Sequence, residues 1–196
     1  LSDDLRPRVR LAAQAKLECG DRDPERRGHC RAHHGCRLAS SDQRRFGGRP
    51  IQYLLDAEFA GGIYPVNPAR DEIQGLKAYP SISDIKGPVD CAILAISAEA
   101  TLATLEACIA KGVRSAILYG AGFSEMGDEG RALQDRVVAL AREAGMRLLG
   151  PNCMGLLNTD PRFALNATFS PVYPPAGGVA MSTQSGALGL AILDYT

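Results

Sequence analysis

A doubly wound, parallel α/β sheet is the fold class this sequence predicts, and three observations carry that prediction. Two continuous apolar runs of strand length, "PVDCAILAIS" and "VRSAILYGAG", suit parallel strands covered on both faces. Helical patterns separate the strand patterns from residue 49 onward. Each strand pattern ends in a turn-forming Pro, Ser, Gly or Asn. Strand–helix alternation of this kind implies right-handed crossovers between parallel neighbours.

The elements follow in order. "RPIQYLLDAEFAGG" predicts a helix with Pro50 at its first position and Ile51, Leu54, Leu55 and Phe59 at helical spacing. Its expected stop is Gly61–Gly62. "GIYPVNP" predicts a short strand closing at Pro68. After "PVDCAILAIS", Ser97 is placed to cap a helix through Lys111, with Leu102, Leu105 and Ile109 on one face and Gly112 as terminator. After "VRSAILYGAG", Ser124 or Asp128 begins a helix carrying Leu133, Val137, Leu140 and Ala144 at helical spacing before Gly145. "MRLLGPN" predicts a shorter strand closing into Pro151.

Residues 158–177 are proline-rich and aperiodic, which predicts an interdomain linker with a short strand at "ALNATFS". From residue 178, "GVAMSTQSGALGLAILDY" predicts a new strand, a Ser/Gly turn and a helix. One strand and one helix cannot bury a core. They are expected to open a second α/β domain, truncated in residues 178–196. The chain begins at Leu1 rather than Met and stops at Thr196 inside a helical pattern, so a fragment is expected.

Composition limits the function classes. Of 196 residues, 45% are apolar, enough for a packed core, and the net charge is zero. That balance points to no nucleic acid partner. Residues 1–50 hold 12 of the 22 basic side chains and 7 of the 22 acidic ones, without a long block of either sign. No apolar run approaches the ~18 residues that span a bilayer, and no signal peptide is visible, so no membrane partner and a cytoplasmic location are expected. The six cysteines are irregularly spaced, unlike a secreted disulfide framework, and Cys91 and Cys108 sit in apolar segments as reduced thiols would.

In an open parallel sheet, ligands bind beyond the carboxyl ends of the strands. Three such ends are informative. In "ASSDQRRFGGRP", small residues Ser40, Ser41, Gly47 and Gly48 precede a helix N-terminus whose free N–H groups attract a phosphate, with Arg44 and Arg45 nearby. An ordinary glycine turn explains the same residues equally well, and no G-x-G-x-x-G fingerprint is present. In "YPVNPARDEIQG" the strand ends in Asn67–Pro68 rather than the Asp or Glu that binds a nicotinamide dinucleotide's ribose. That speaks against NAD, and Arg70 leaves room for a ligand with an extra phosphate. In "GPNCMG", Asn152 either bonds a ligand or holds the turn. Cys153 has no histidine beyond residue 34 to activate it, and a small buried thiol is the reading taken.

Taken together, "FGGRPIQYLLDAEFAGGIYPVNPARDEIQGLKAYPSISDI", "AEATLATLEACIAKGVRSAILYGAGFSE", "LLGPNCMGLLN" and "STQSGALGLAILD" resemble the CoA-binding region of the NDP-forming acyl-CoA synthetases. That family includes ADP-forming acetyl-CoA synthetase and is related to the succinyl-CoA synthetase alpha subunit. The resemblance runs from about Ala39 to Thr196. It implies a Rossmann-like CoA-binding domain over residues 39–157, then the start of a flavodoxin-like second domain. The implied reaction interconverts acyl-CoA, ADP and phosphate with acid, CoA and ATP through an acyl phosphate and a phosphohistidine. CoA-binding positions implied by the resemblance are Ser40, Gly47, Gly48, Asn67, Pro68, Ile96, Ser97, Ala98, Gly122 and Asn152. Ser185 and Gly186 start a helix directly after a strand pattern, where backbone amides and the helix dipole converge on an anion. In the family that helix end faces the phosphate or phosphohistidine.

The chain departs from the family at Ser97, where proline is usual, and at Ala69, where lysine is frequent. The phosphorylated histidine and the ATP-grasp site, with ATP/ADP and Mg, belong to further domains or a beta subunit. The chain alone is therefore expected to bind CoA or acyl-CoA and not to turn over, and the full-length form is expected to be an oligomer. Two other functions fit the same residues: a synthetase-like regulatory region of a protein lysine acetyltransferase, and a stand-alone CoA-binding module. The start of a second domain at Gly178 speaks against the latter.

Upstream of residue 39 the fold demands an apolar first strand, and "HCRAHHGCRLAS" stands there instead. Residues 1–38 are expected to be wholly or partly translated out of frame and not to supply that strand. Codons for Gly35–Leu38, read one nucleotide later, can spell Val-Val-Gly or Val-Ala-Gly. His29, Cys30, His33, His34 and Cys36 offer zinc-ligand types, but their spacing matches no common zinc module, so no metal is expected.

Overall fold

The computed structural model describes residues 10–14 and 48–195. A five-stranded, all-parallel sheet forms the centre. Its strands are β1 (Arg10–Gln14), β2 (Gly62–Val66), β5 (Cys91–Leu94), β6 (Ser115–Leu118) and β7 (Arg147–Leu149). Their lateral order is β2-β1-β5-β6-β7. The helices are α1 (Arg49–Asp56), α2 (Ala98–Ala110), α3 (Asp128–Glu143) and α4 (Gly186–Asp194). Two antiparallel hairpins complete the described part: β3 (Glu72–Ile73) with β4 (Leu76–Lys77), and β8 (Gly155–Asn158) with β9 (Leu165–Thr168).

Strand geometry sends successive side chains to opposite faces, and the two cores follow from it. Ala92 and Leu94 of β5, with Ala116 and Leu118 of β6, pack against Leu105 of α2 and Val137 and Ala141 of α3. Ile93 and Ile117, the residues between them, face the other way, against Ile51 and Leu54 of α1 and Ala167 of β9. The central strands are thus apolar at consecutive positions because both faces are covered. α2 buries Ala98, Thr101, Leu105 and Cys108, a helical stripe, and Gly112 ends it at φ 82 with Val113 N–H on the Cys108 carbonyl.

Four expectations are corrected or refined. The first-strand slot between β2 and β5 is occupied, by Arg10–Gln14, against the expectation that residues 1–38 leave it empty. Only Leu11-Ala12-Ala13 is apolar there, too short a run to read as a strand without its two neighbours. "HCRAHHGC", with its zinc question, lies outside the described residues, as do the phosphate-loop residues Ser40 and Gly47.

α1 stops at Asp56, before the glycine pair. Glu58 takes the left-handed conformation (φ 54), Phe59 N–H bonds the Leu54 carbonyl and Glu58 N–H bonds the Leu55 carbonyl. This is a Schellman end closed by contact of Phe59 with the Leu54 side of the core, without a glycine.

The short strand expected at "ALNATFS" within the linker stretch is present as β9, and what the linker reading missed is its burial: Asn166, Ala167 and Thr168, with Ser170 beyond, are buried. A chain of side-chain bonds holds it: Thr168 Oγ1 with Asn166 Oδ1 at 2.6 Å, and Ser170 N–H to Thr168 Oγ1 at 2.9 Å. Residues 178–185, expected to include a strand, form none. Val179 is 94% exposed, and no described strand lies beside it to complete a ladder.

Candidate functional site

The carboxyl ends of the parallel strands collect most of the predicted ligand residues on one edge of the sheet. Asn67 and Pro68 follow β2, Ile96–Ala98 follow β5, Gly122 follows β6 and Asn152 follows β7. The strand order reverses between β1 and β5, since β1 leads to β2 on one side and the chain then returns to β5 on the other. Such a reversal opens a crevice at that edge.

Backbone contacts stitch the loops after β5, β6 and β7 together. Tyr119 N–H donates to the Leu94 carbonyl at 3.0 Å, and Asn152 N–H donates to the Gly120 carbonyl at 3.0 Å. A Cβ on Gly120 would stand 2.4 Å from the Ile96 carbonyl oxygen, and one on Gly150 would stand 2.3 Å from that of Leu118. Glycine is required there because neighbouring backbone fills the space. Asn152 itself has φ 52 and is exposed, so its side-chain carboxamide stands at the surface beyond β7. A cis peptide joins Gly150 to Pro151.

On the β2 side, Asn67 is buried at 6% exposure. Its N–H donates to the Tyr79 carbonyl (2.8 Å), and its Oδ1 accepts from Ala69 N–H (2.9 Å), closing a turn around exposed Pro68. The turn role weighed for Asn67–Pro68 is therefore present. Gly48, buried, is the N-cap residue of α1, and Pro50 sits in the first turn as expected. The Gly48 carbonyl also accepts from Gln74 Nε2 at 2.9 Å.

Ile96 and Ala98 are buried in the core, and the Ile96 carbonyl lies against Gly120. Ser97 occupies the N-cap position of α2 but its side chain does not cap the helix. The hydroxyl bonds Glu99 instead; that bond, after the larger effect of Glu99's own N–H, holds the carboxyl below its usual range. Gly122 (φ 106) lies against Ala98 Cβ, and its N–H donates to Glu125 Oε1 at 2.6 Å. Burial is the largest influence on Glu125 and raises its pKa, but the N–H groups of Gly122, Glu125 and Phe123 together prevail and lower it. The Gly122 amide thus already has an anionic partner. Neither Glu125 nor Gln74 stood out in the sequence, because each acts through a loop contact that spacing does not encode.

Ser185 caps α4, its Oγ accepting from Leu188 N–H at 3.2 Å. Gly186 packs so close to Met154 that a Cβ would meet its Cγ at 2.6 Å, which sets the α4 N-terminus beside the loop carrying Asn152.

Burial disfavours the thiolate at each described cysteine, Cys91, Cys108 and Cys153. Burial pushes the Cys153 thiol up, against smaller opposing effects from Gly155 and Cys153 N–H groups, and its Sγ donates to the Leu118 carbonyl at 3.3 Å. Burial, reinforced by nearby Cys91, pushes Cys108 up to about 12. Raised pKa values mean less thiolate at neutral pH, so Cys91, Cys108 and Cys153 are expected to alkylate with iodoacetamide far more slowly at about pH 7.5 in the folded chain than in urea. Peptide mapping by mass spectrometry reads this, and equal rates for Cys153 in the two states would contradict it. Among the described residues no group of His, Cys, Asp and Glu could hold a metal ion, and no helix is long and apolar enough to cross a membrane.

Comparison with known proteins gives the family. The chain is 42% identical over 159 residues to the Pyrococcus furiosus acetate–CoA ligase [ADP-forming] II subunit alpha, covering 81% of this chain and 34% of that protein. It is 43% identical over 137 residues to the acetate–CoA ligase [ADP-forming] of Methanocaldococcus jannaschii, covering 70% of this chain and 19% of the relative. The chain therefore spans about a fifth to a third of the length of these relatives. The structure superposes on the dinucleotide-forming acetyl-coenzyme A synthetase 1 of Ca. Korarchaeum cryptofilum, solved with phosphate and ADP, with a TM-score of 0.78 and 34% identity. That match covers 97% of this chain and 35% of the synthetase. Residues 38–159, which hold every one of these strand-end loops, match the CoA binding domain, and the chain belongs to that family.

Proposed function

We propose that this chain binds coenzyme A along the carboxyl edge of its sheet, as the CoA-binding part of an NDP-forming acid–CoA ligase. The observation that supports this best is the convergence of Gly48, Asn67, Ile96–Ala98, Gly122 and Asn152 at the carboxyl ends of the parallel strands, beside the N-termini of α1 and α2. Backbone amides at turns and helix N-termini suit a diphosphate. Ser40 and Gly47 belong to the same proposal through the resemblance, as does Ser185–Gly186 for phosphate.

Coenzyme A supplies the thiol that carries the acyl group. This chain's residues bind and orient it. All three histidines precede residue 35, so the phosphohistidine of the full reaction is assigned to another segment or subunit, together with ATP/ADP, Mg and the ATP-grasp fold. A beta subunit or further domains, an oligomeric assembly and a cytoplasmic location belong to the same reading.

Isothermal titration of CoA into the 196-residue chain tests it. Saturable binding is expected, and Gly48→Glu, which sets a carboxylate at the α1 N-terminus, is expected to weaken it at least about tenfold. No saturable binding would overturn the proposal. Equal binding by the variant would remove the α1 end from the site.

A further inference from the structure

The β3–β4 hairpin bridges the end of β2 and the start of α1, and its turn buries an acceptor with nothing to accept. Beyond β4, Tyr79 N–H donates to the Pro65 carbonyl at 2.9 Å and the Tyr79 carbonyl accepts from Asn67 N–H at 2.8 Å, tying the hairpin to the end of β2. On the other side Ile73 and Leu76 pack with Ile51 and Leu54 of α1. The turn residues Gln74 and Gly75 have φ 52 and 78, the left-handed pair of a type I′ turn. Asn, Asp or Gly usually takes the first of these positions, and glutamine there carries strain.

The Gln74 side chain folds back to donate Nε2–H to the Gly48 carbonyl at 2.9 Å. A carbonyl only accepts, so this bond fixes which end of the amide is nitrogen and leaves Oε1 as an acceptor. Oε1 is buried and has no hydrogen-bond partner. A strained residue with an unmet buried acceptor, set beside a ligand edge, points to a missing donor.

A phosphate ionised at neutral pH offers few donors, so a hydroxyl or amine suits this position better. In doubly wound sheets the ribose lies at the end of the second strand, next to phosphates at the helix N-terminus. The usual acceptor there is a carboxylate at the strand end. In this chain that place is Asn67, whose Oδ1 is engaged by Ala69 N–H. Gln74 lies between β2 and α1 with its buried acceptor unpaired. We propose that Gln74 Oε1 accepts a hydrogen bond from the ribose 2′-hydroxyl of the bound nucleotide, and that the Nε2–Gly48 bond holds the amide in that orientation. This rests on the CoA reading above.

The test uses the whole chain and two ligands that differ by one hydroxyl, adenosine 3′,5′-bisphosphate and its 2′-deoxy analogue, each competed against bound CoA. The wild type is expected to favour the ribose form by about fivefold or more. Gln74→Met is expected to bind the deoxy form as the wild type does and to lose the preference. Gln74→Glu keeps an acceptor oxygen and is expected to keep the preference while weakening both ligands. No preference in the wild type, a preference surviving in Gln74→Met, or no competition by either bisphosphate overturns the assignment. The wild-type comparison decides even if Gln74→Met does not fold. Failure of the wild type to bind CoA at all is a separate result, which removes the underlying reading and the assignment with it.

Discussion

Gly150→Ala is expected to destabilise the chain by about 3 kcal/mol, a large share of the ~5–15 kcal/mol that holds a domain together. Two effects add. Gly150 has φ 96, where an L side chain is strained by about 1–2 kcal/mol. The new methyl would stand 2.3 Å from the Leu118 carbonyl oxygen and 3.0 Å from Cys153 Sγ, so the backbone must shift by overpacking that costs about 1–3 kcal/mol. The Leu118 oxygen belongs to the last residue of β6 and cannot swing aside as a side-chain tip could. Relief has to come from moving the loop that carries Asn152, so CoA affinity is expected to fall with stability. Gly177→Ala is the control: nothing lies within 4 Å of the place its methyl would take and its φ is not left-handed, so a change within about 0.5 kcal/mol is expected. Urea denaturation of both variants measures the difference, and a Gly150→Ala protein as stable as the control would contradict the argument.

Phe123→Ala is expected to cost about 3–5 kcal/mol, the range for deleting a fully buried aromatic ring. Phe123 is 0% exposed and belongs to the core under α2 and α3. Its backbone is equally constrained. The Phe123 carbonyl accepts from Met126 N–H at 2.8 Å, and it passes so close to Gly130 of α3 that no Cβ could stand there. The ring therefore anchors the Gly122 loop from below, while Glu125 fastens it from above. Phe123→Leu refills most of the volume and is expected to recover more than half of the lost stability. Thermal unfolding separates the two variants, and a loss below about 1 kcal/mol for Phe123→Ala would show that the ring is not what holds the loop.

How much of the fold is legible in the sequence differs from element to element. β5 and β6 are plain, because a strand buried on both faces is apolar at consecutive positions. The α2 boundaries are nearly so, since Gly112 supplies the left-handed residue that its Schellman end requires. The α1 end is not, because Glu58 takes that conformation and is held there by Phe59 reaching Leu54. β1 is illegible for another reason. Leu11 and Ala12 are buried because they stand in the central slot between β2 and β5, each within the core on one face of the sheet, and a run so short does not announce that place.

The same division holds for the candidate site. Asn67 and Asn152 can be named from sequence because each stands where a strand pattern ends, and parallel strands place such ends together, whereas Ser97 and Gly122 enter through the family resemblance. Gln74 and Glu125 cannot. Gln74 matters through a bond to Gly48, 26 residues away, and Glu125 through the amide of a glycine at left-handed φ.

By itself the sequence determined the parallel α/β class and the places where its strands end, since periodicity and turn residues are local properties. Only the tertiary structure decided which segment fills the central strand, that β9 closes the α1 face, and which loop amides are already bonded. Those outcomes depend on backbone atoms far apart in the chain meeting within a few ångströms, and no local pattern of residues records such a meeting.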